Sequence, residues 1–203
     1  MRRIGFLLLL LLLLNGCSTK QSNNNTNTQI QTGTNNQINL SDFNTVEKQA
    51  IKSLKEKNME SLSQIVGIDG VIFSPYNNIN TGHKKIFKDS FKNLFSNTQI
   101  INRGVYDGSG EPINLNFKDY FDKFIYDVDF STAPEKILNK VVQRGNIINN
   151  IETFYPGSQT IEYYFSGFDS QYEGIDRKSL TLIFSKTGNN RYLIGISHGQ
   201  RTI

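Results

Sequence analysis

The spacing of apolar residues changes along this chain, and that change constrains the fold more than any other feature. Between residues 43 and 142, apolar residues recur every three or four positions, most clearly from Phe117 to Val128. Towards the C-terminus the spacing becomes two, as in Ile161, Tyr163 and Phe165. The first spacing predicts helices with one apolar face, and the second predicts half-buried strands. Helices followed by strands indicate an α+β domain in which helices cover one face of an antiparallel sheet.

The individual elements follow from these spacings together with capping and turn residues. Helices are predicted over residues 43–54, 59–66, 84–95, 117–128 and 134–142. Strands are predicted over residues 71–73, 100–106, 160–165, 180–185 and 192–198, with turns at 107–110 and 186–190. This order is similar to the NTF2-like cone fold, in which a curved sheet wraps a helix and can leave a pocket. A cystatin-like arrangement of a helix on a sheet is the second choice, and an unnamed α+β layer fold is the third.

The first sixteen residues have the layout of a secretory signal peptide. Arg2 and Arg3 precede an unbroken apolar run from Ile4 to Leu14. As a helix this run would extend about 16 Å at ~1.5 Å per residue, whereas the hydrocarbon core of a membrane is ~30 Å thick. The run therefore favours a signal peptide that is removed over a helix that spans the membrane.

The residues that follow this run, Leu14-Asn15-Gly16-Cys17, resemble the lipobox of bacterial lipoproteins. The resemblance implies transfer of a diacylglyceryl group to the Cys17 thiol and cleavage directly before Cys17, which is the only cysteine in the chain. Two acyl chains give stable anchoring, whereas one gives only marginal binding. We therefore expect the protein to be anchored to the outer face of the cell membrane through lipid on Cys17. An uncleaved signal anchor is the alternative.

Residues 17–39 are predicted to be a lipid-anchored, disordered tether, because they are polar and Lys20 is their only charged residue. Residues 40–203 are predicted to be a single α+β domain, since they contain every aromatic residue except Phe6. Loss of residues 1–16 lowers the formal net charge of +4 by two. A nearly neutral chain lacks the dense basic surface that binds phosphate backbones, so nucleic acid is not expected as a partner.

Four stretches of the predicted domain are similar to an uncharacterised C-terminal module of envelope proteins from low-GC Gram-positive bacteria. They are residues 73–76 (FSPY), 105–113 (VYDGSGEPI), 124–130 (FIYDVDF) and 192–198 (YLIGISH). The resemblance covers most of residues 70–203. It implies a place in the cell envelope but no particular activity.

The sequence contains no recognisable catalytic set, and neither a cofactor nor a dedicated metal site is expected. Its two histidines, His83 and His198, are far apart and belong to no metal-binding motif. His198 fits either a general base or metal ligand, or a buried structural imidazole bonded to a nearby carboxylate or carbonyl. Asp127 and Asp129 fit either an acid–base pair or the solvated end of a helix.

Three lysines, Lys84, Lys88 and Lys92, stand four positions apart on one predicted helix. Such an edge can approach anionic lipid headgroups or an anionic wall polymer. The alternative is a solvated helix face whose lysine stems cover apolar neighbours.

A pocket is predicted where the meander wraps the 117–128 helix. Tyr163, Tyr192 and His198 are expected on one sheet face near its mouth as ligand-binding residues, and a filled core is the competing arrangement. The whole pattern predicts a lipid-anchored extracytoplasmic protein whose non-enzymatic domain binds a small molecule, a cell-wall polymer or an envelope protein. The alternative is a small cone-fold hydrolase or isomerase that uses His198 with an acidic residue.

Overall fold

Helix α1 (Phe43–Lys55) begins where the sequence supplies a cap. The structure is a computed structural model that describes residues 37–201. The Asp42 carboxylate accepts hydrogen bonds from the backbone N–H groups of Asn44 and Thr45. These donors have no partner inside the helix, so the cap stabilises its first turn. Helix α2 (Met59–Ser63) begins in the same way, because the Asn58 side chain accepts the N–H of Ser61.

The predicted signal peptide, Cys17 and the predicted tether as far as residue 36 lie outside the described residues. The chain from Gln37 onward forms one compact unit. Ile38 packs against its core. The last residues of the predicted tether therefore belong to the domain.

The remaining elements comprise two helices and eight strands among the described residues. The helices are α3 (Phe117–Phe124) and α4 (Ile151–Phe154). The first four strands are β1 (Val71–Ser74), β2 (Lys85–Ile86), β3 (Ile101–Val105) and β4 (Pro112–Leu115). The last four are β5 (Glu135–Leu138), β6 (Gln159–Phe165), β7 (Lys178–Thr187) and β8 (Asn190–Gln200).

Six strands form one mixed sheet in the order β2-β1-β8-β7-β6-β5, and β3 pairs with β4 in a separate hairpin. Neighbouring strands of the large sheet are antiparallel except β1 and β8, which run parallel. The predicted C-terminal meander is thus confirmed as β6, β7 and β8. The α+β class is confirmed as well, whereas the choice between a cone and a cystatin-like arrangement stays a prediction.

Two of the predicted helices are wrong. Residues 84–95 instead form β2, which pairs with β1, followed by a 3₁₀ segment from Lys88 to Asn93. The predicted helix over 134–142 contains strand β5, in which Glu135 lies opposite Tyr164 of β6. Both new strands lie at the edges of the sheet. Their pairing with distant strands outweighs the local helical spacing, as tertiary context commonly does.

Strand β8 contains a bulge that the sequence pattern did not indicate. Between the pairs Ile183–Gly195 and Phe184–Leu193, β8 has one extra residue, Ile194. One extra residue reverses which side chains face which side of a sheet. Leu193 therefore lies in the main core, whereas Ile194 packs on the opposite face.

The main core lies between helices α1 to α3 and one face of the large sheet. Helix α3 buries Phe117, Tyr120, Phe121 and Phe124, which confirms the predicted apolar stripe. The Tyr120 hydroxyl donates to the Phe73 carbonyl of β1 over 2.9 Å, so even its polar tip is satisfied. Helix α4 covers the opposite face of the sheet with a smaller apolar cluster.

None of the helices in residues 37–201 combines the length and the apolar character needed to cross a membrane.

Candidate functional site

His198 lies in the interior of the domain, with none of its surface exposed. It stands opposite Leu180 on the core face of β8, and its ring meets Phe130 edge-on at 6.1 Å between centroids. Its Nε2 atom lies 3.0 Å from Oδ1 of Asp127. The structure thus gives one ring nitrogen of the buried His198 a carboxylate partner.

Asp127 joins His198 to Lys178. Its second oxygen, Oδ2, accepts a hydrogen bond from the Lys178 ammonium group. Burial opposes ionisation of Asp127, but the hydrogen bonds and charges of His198 and Lys178 outweigh burial and lower the pKa of this carboxyl. An ionised carboxylate only accepts hydrogen bonds, so Nε2 of His198 donates. Its Nδ1 atom is buried and has no hydrogen-bond partner.

This pair has the bonding of an oriented base, yet no substrate can reach it in this structure. The cavity beside His198 measures about 10 Å³, which is the room of a single water molecule. Tyr163 and Tyr192 do not line that cavity. Asp127, interpreted from sequence as one of two carboxylates at a helix end, instead stabilises the interior.

Tyr163 is also fully buried, and it belongs to a second closed cluster. Its hydroxyl donates to Oε1 of Glu47, a buried residue of α1. The Lys136 ammonium nitrogen lies 3.6 Å from the same oxygen and 4.8 Å from the Tyr163 ring centroid. This cluster joins α1 to β5 and β6, and it leaves no room for a ligand at the tyrosine.

Tyr192 lies on the other face of the sheet, because the bulge at Ile194 separates it from the rest of β8. Its Cβ would be 3.3 Å from a Cβ added to Gly67, so the two residues pack closely. Asn190 donates to the Tyr192 hydroxyl over 3.4 Å. The structure therefore does not bring Tyr163, Tyr192 and His198 to one cavity.

The largest described cavity lies elsewhere, between the loop after β1 and the β3–β4 hairpin, and measures about 420 Å³. We call it the Tyr76–Tyr106 cleft. Its lining side chains include Pro75, Tyr76, Asn78, Asn80, His83, Val105, Tyr106, Asp107 and Ile147. Gly104 has a φ of +120°, and a Cβ there would lie 3.5 Å from Nε2 of His83. Glycine at this position lets the backbone pass close to the imidazole.

Both tyrosines of the cleft are fixed on helix α3. Their ring centroids lie 5.9 and 5.8 Å from that of Phe124. The Tyr76 hydroxyl accepts the backbone N–H of Asp107 over 3.2 Å, and the Tyr106 hydroxyl accepts from Lys123 over 3.0 Å. Burial raises the pKa of Tyr76, which keeps its hydroxyl neutral. The cleft thus presents aromatic surface with positioned hydroxyl groups.

The imidazole of His83 is a further polar group of the cleft. Asn80 Oδ1 accepts the N–H of Gly82, so the Asn80 amide nitrogen faces Nε2 of His83, 3.4 Å away. The amide donates to Nε2, which places the imidazole proton on Nδ1. Nδ1 is buried and has no hydrogen-bond partner. Burial lowers the pKa of His83, which keeps the ring neutral.

Sequence spacing did not reveal this cleft, because its walls come from separate segments. One indication was present, since the stretches 73–76 and 105–113, quoted above for the family resemblance, both contribute residues to it. Residues 37–201 contain no group of three or more side chains able to hold a metal ion. Comparison with known protein families finds no matching family model, and comparison with curated proteins finds no match.

Proposed function

We propose that this chain is a lipid-anchored extracytoplasmic protein whose domain binds a ligand in the Tyr76–Tyr106 cleft without converting it. The anchor follows from the lipobox-like residues that end at Cys17. The binding role rests on one contrast: His198, which Asp127 orients as a base, is sealed, whereas His83 in the open cleft of about 420 Å³ is bonded to Asn80 and has no carboxylate of the described residues hydrogen-bonded to its ring. Serine, threonine, cysteine and lysine are all missing from its described lining.

The lining suits a polar ligand of small-molecule size. Ligand sites commonly measure about 300 to 1,000 Å³ and combine apolar walls with a few positioned polar groups. The Tyr76 and Tyr106 rings supply the wall, while Asn78, Asn80 and His83 supply amide and imidazole groups. A fragment of cell-wall polymer has the mixed apolar and polar surface that such a lining contacts.

Binding and turnover can be measured together with soluble cell-wall fragments. We expect NMR shifts of the backbone amides at 76–83 and 104–110, and we expect the fragment to remain chemically intact. Val105→Trp should obstruct the cleft, because Val105 is half-exposed at its wall. Ile68→Trp is the matched control, since Ile68 is 93% exposed and lies outside the cleft. Conversion of a fragment, or binding unchanged by Val105→Trp, would contradict this proposal.

A second candidate function, a hydrolase or isomerase, is favoured by the His198–Asp127 hydrogen bond of 3.0 Å. A base held by a carboxylate in this way is a common catalytic arrangement. The envelope-substrate assay decides between the two candidates: turnover that is lost in a folded His198→Gln variant supports the enzyme. Tyr163 and Tyr192 have no part in this candidate.

The anchor is tested separately. Cys17→Ser should release the protein from the membrane fraction, because the residue that would receive the lipid is gone. Mass spectrometry of the wild-type N-terminus should find diacylglycerol on Cys17. An unmodified Cys17, or retention of the Cys17→Ser variant in the membrane, would refute the anchor while leaving the cleft untouched.

A further inference from the structure

A second concave surface, the Arg103 groove, lies between the segment 84–99 and strand β3. It measures about 200 Å³. Its basic residues are Lys84, Lys85 and Arg103, and its apolar residues include Leu94, Ile101 and Phe117. The groove therefore combines positive charge with an apolar wall.

Arg103 is the central residue of this groove. Its guanidinium carbon lies 4.7 Å from the Tyr120 ring centroid and 5.6 Å from that of Phe117. The Nε atom is buried and has no acceptor. Burial also lowers the pKa of Arg103, although the residue stays charged. The aromatic faces offset part of the cost of burying this charge, but they do not replace the missing acceptor.

No carboxylate in the described part of the chain balances this charge. Arg103, Lys84 and Lys85 form no ion pair among residues 37–201. Asp89 is the only acidic residue in the stretch 84–106, which contains five basic ones. The Nη groups of Arg103 form no hydrogen bond among the described residues either, so an anion in the groove gives the guanidinium an acceptor that the described chain does not supply.

The structure revises the prediction that Lys84, Lys88 and Lys92 form one edge of a helix. Lys88 and Lys92 lie on the 3₁₀ segment, and neither lines the groove, whereas Lys84 does. The four-residue spacing has no structural meaning here, because the predicted helix is absent. The neighbouring Lys85, which that spacing passed over, lines the groove instead.

We propose that the Arg103 groove binds the phosphate of an amphiphilic phosphate ester. The phosphate contacts the guanidinium fork of Arg103 and the ammonium groups of Lys84 and Lys85. Three cations balance the two negative charges of a phosphate monoester better than the single charge of a carboxylate ligand. The apolar substituent packs against Leu94 and Ile101, which are partly exposed in the groove. The volume fits a headgroup with the first part of its chain rather than a whole lipid.

The test uses the purified full chain in neutral detergent, with calorimetry as the readout. Hexyl phosphate should bind about tenfold or more tightly than inorganic phosphate, since each buried CH₂ contributes ~0.8 kcal/mol. A second arm uses dihexanoyl phosphatidylglycerol. Tighter binding of the monoester assigns the groove to lipid-linked monophosphates, and tighter binding of the diester assigns it to phospholipid headgroups. Either result supports the site.

Charge variants locate the binding. Lys84→Gln combined with Lys85→Gln should weaken hexyl phosphate binding about tenfold, because each exposed ion pair contributes ~0.2–1 kcal/mol. Both lysines are exposed, so this variant should fold. Arg103→Gln should abolish binding, and its fold is checked by circular dichroism. Lys140→Gln, at an exposed lysine outside the groove, should change nothing. Equal affinity for hexyl and inorganic phosphate, or affinity unchanged by the lysine variant, overturns the proposal.

Discussion

The large sheet and the β3–β4 side of the molecule treat charge in opposite ways. Around the sheet, the buried Glu47 and Glu162 and the largely buried Asp127 each have a basic partner. Beside β3, the half-buried Arg103 forms no ion pair with a carboxylate among the described residues. Closed pairs stabilise a fold, whereas unpaired groups beside a cavity are available to a ligand. A ligand is therefore more readily accepted beside the β3–β4 hairpin than at His198.

The largest expected effect concerns helix α3, which packs against both regions. Phe121→Ala should lower the free energy of unfolding by about 3 to 5 kcal/mol, because a fully buried ring leaves a cavity. Chemical denaturation measures this change. Phe87→Ala is the control, since Phe87 is 53% exposed and should cost far less. Equal losses for the two variants would mean that α3 is not the centre of the core.

The next effect concerns the closed side. Asp127→Asn should cost about 2 to 3 kcal/mol, because it removes a charged acceptor shared by His198 and Lys178. Asp89→Asn removes an exposed carboxylate that forms no described ion pair, and it should be nearly neutral. A neutral result at Asp127, measured by the same denaturation, would contradict the idea that the sheet side depends on closed pairs.

The same pair predicts a pH dependence. The pKa of Asp127 is lower in the folded protein than its ordinary value near 4, so the unfolded chain binds a proton more readily. Its stabilising contribution is therefore complete above about pH 4 and is lost as the pH falls through the folded pKa. Thermal unfolding of wild type and Asp127→Asn should converge in acid. Parallel curves down to the lowest pH would assign acid sensitivity to other carboxylates.

The smallest effect concerns the open side. Arg103→Gln should change the stability of the ligand-free protein by less than about 1 kcal/mol, because relief of the buried charge offsets the lost contact with aromatic rings. Arg144→Gln is the contrasting variant on the sheet side, since Arg144 contacts both oxygens of Glu162 at 3.3 Å. That variant should cost more, by about 1.5 to 3 kcal/mol. A larger loss of stability for Arg103→Gln would mean that Arg103 stabilises the fold and is not reserved for ligand binding.

Local signals in the sequence predicted the elements that local interactions decide. Helix α1 has a capping aspartate at residue 42 and was predicted at nearly the right bounds, whereas α3 begins at Phe117 as predicted but ends at Phe124, four residues before the predicted end. Strand β5 was missed because Pro134 and Ile137 fit a helix equally well. Only its pairing with β6, more than twenty residues later, decides its conformation.

The site was predicted less well, for two physical reasons. A bulge at Ile194 shifted the phase of β8, and alternation alone cannot reveal an inserted residue. Gly195 is a partial clue, since a Cβ there would lie 2.9 Å from Ile183. In addition, both concave surfaces join segments that are distant in sequence, such as Tyr76 with Tyr106. No spacing within one segment indicates such a meeting.

The parallel pairing of β1 with β8 has a consequence for the order of folding. Among the described strands, β1 alone links β2 to the rest of the large sheet, and its other partner is β8. The Ser197 hydroxyl bonds the Asn77 side chain across 120 positions. Closing so long a loop is slow, and during synthesis β1 stays an open edge until β8 emerges. We therefore expect the helices to form early and the pairing of β1 with β8 to form late, because it joins two segments far apart in the described chain.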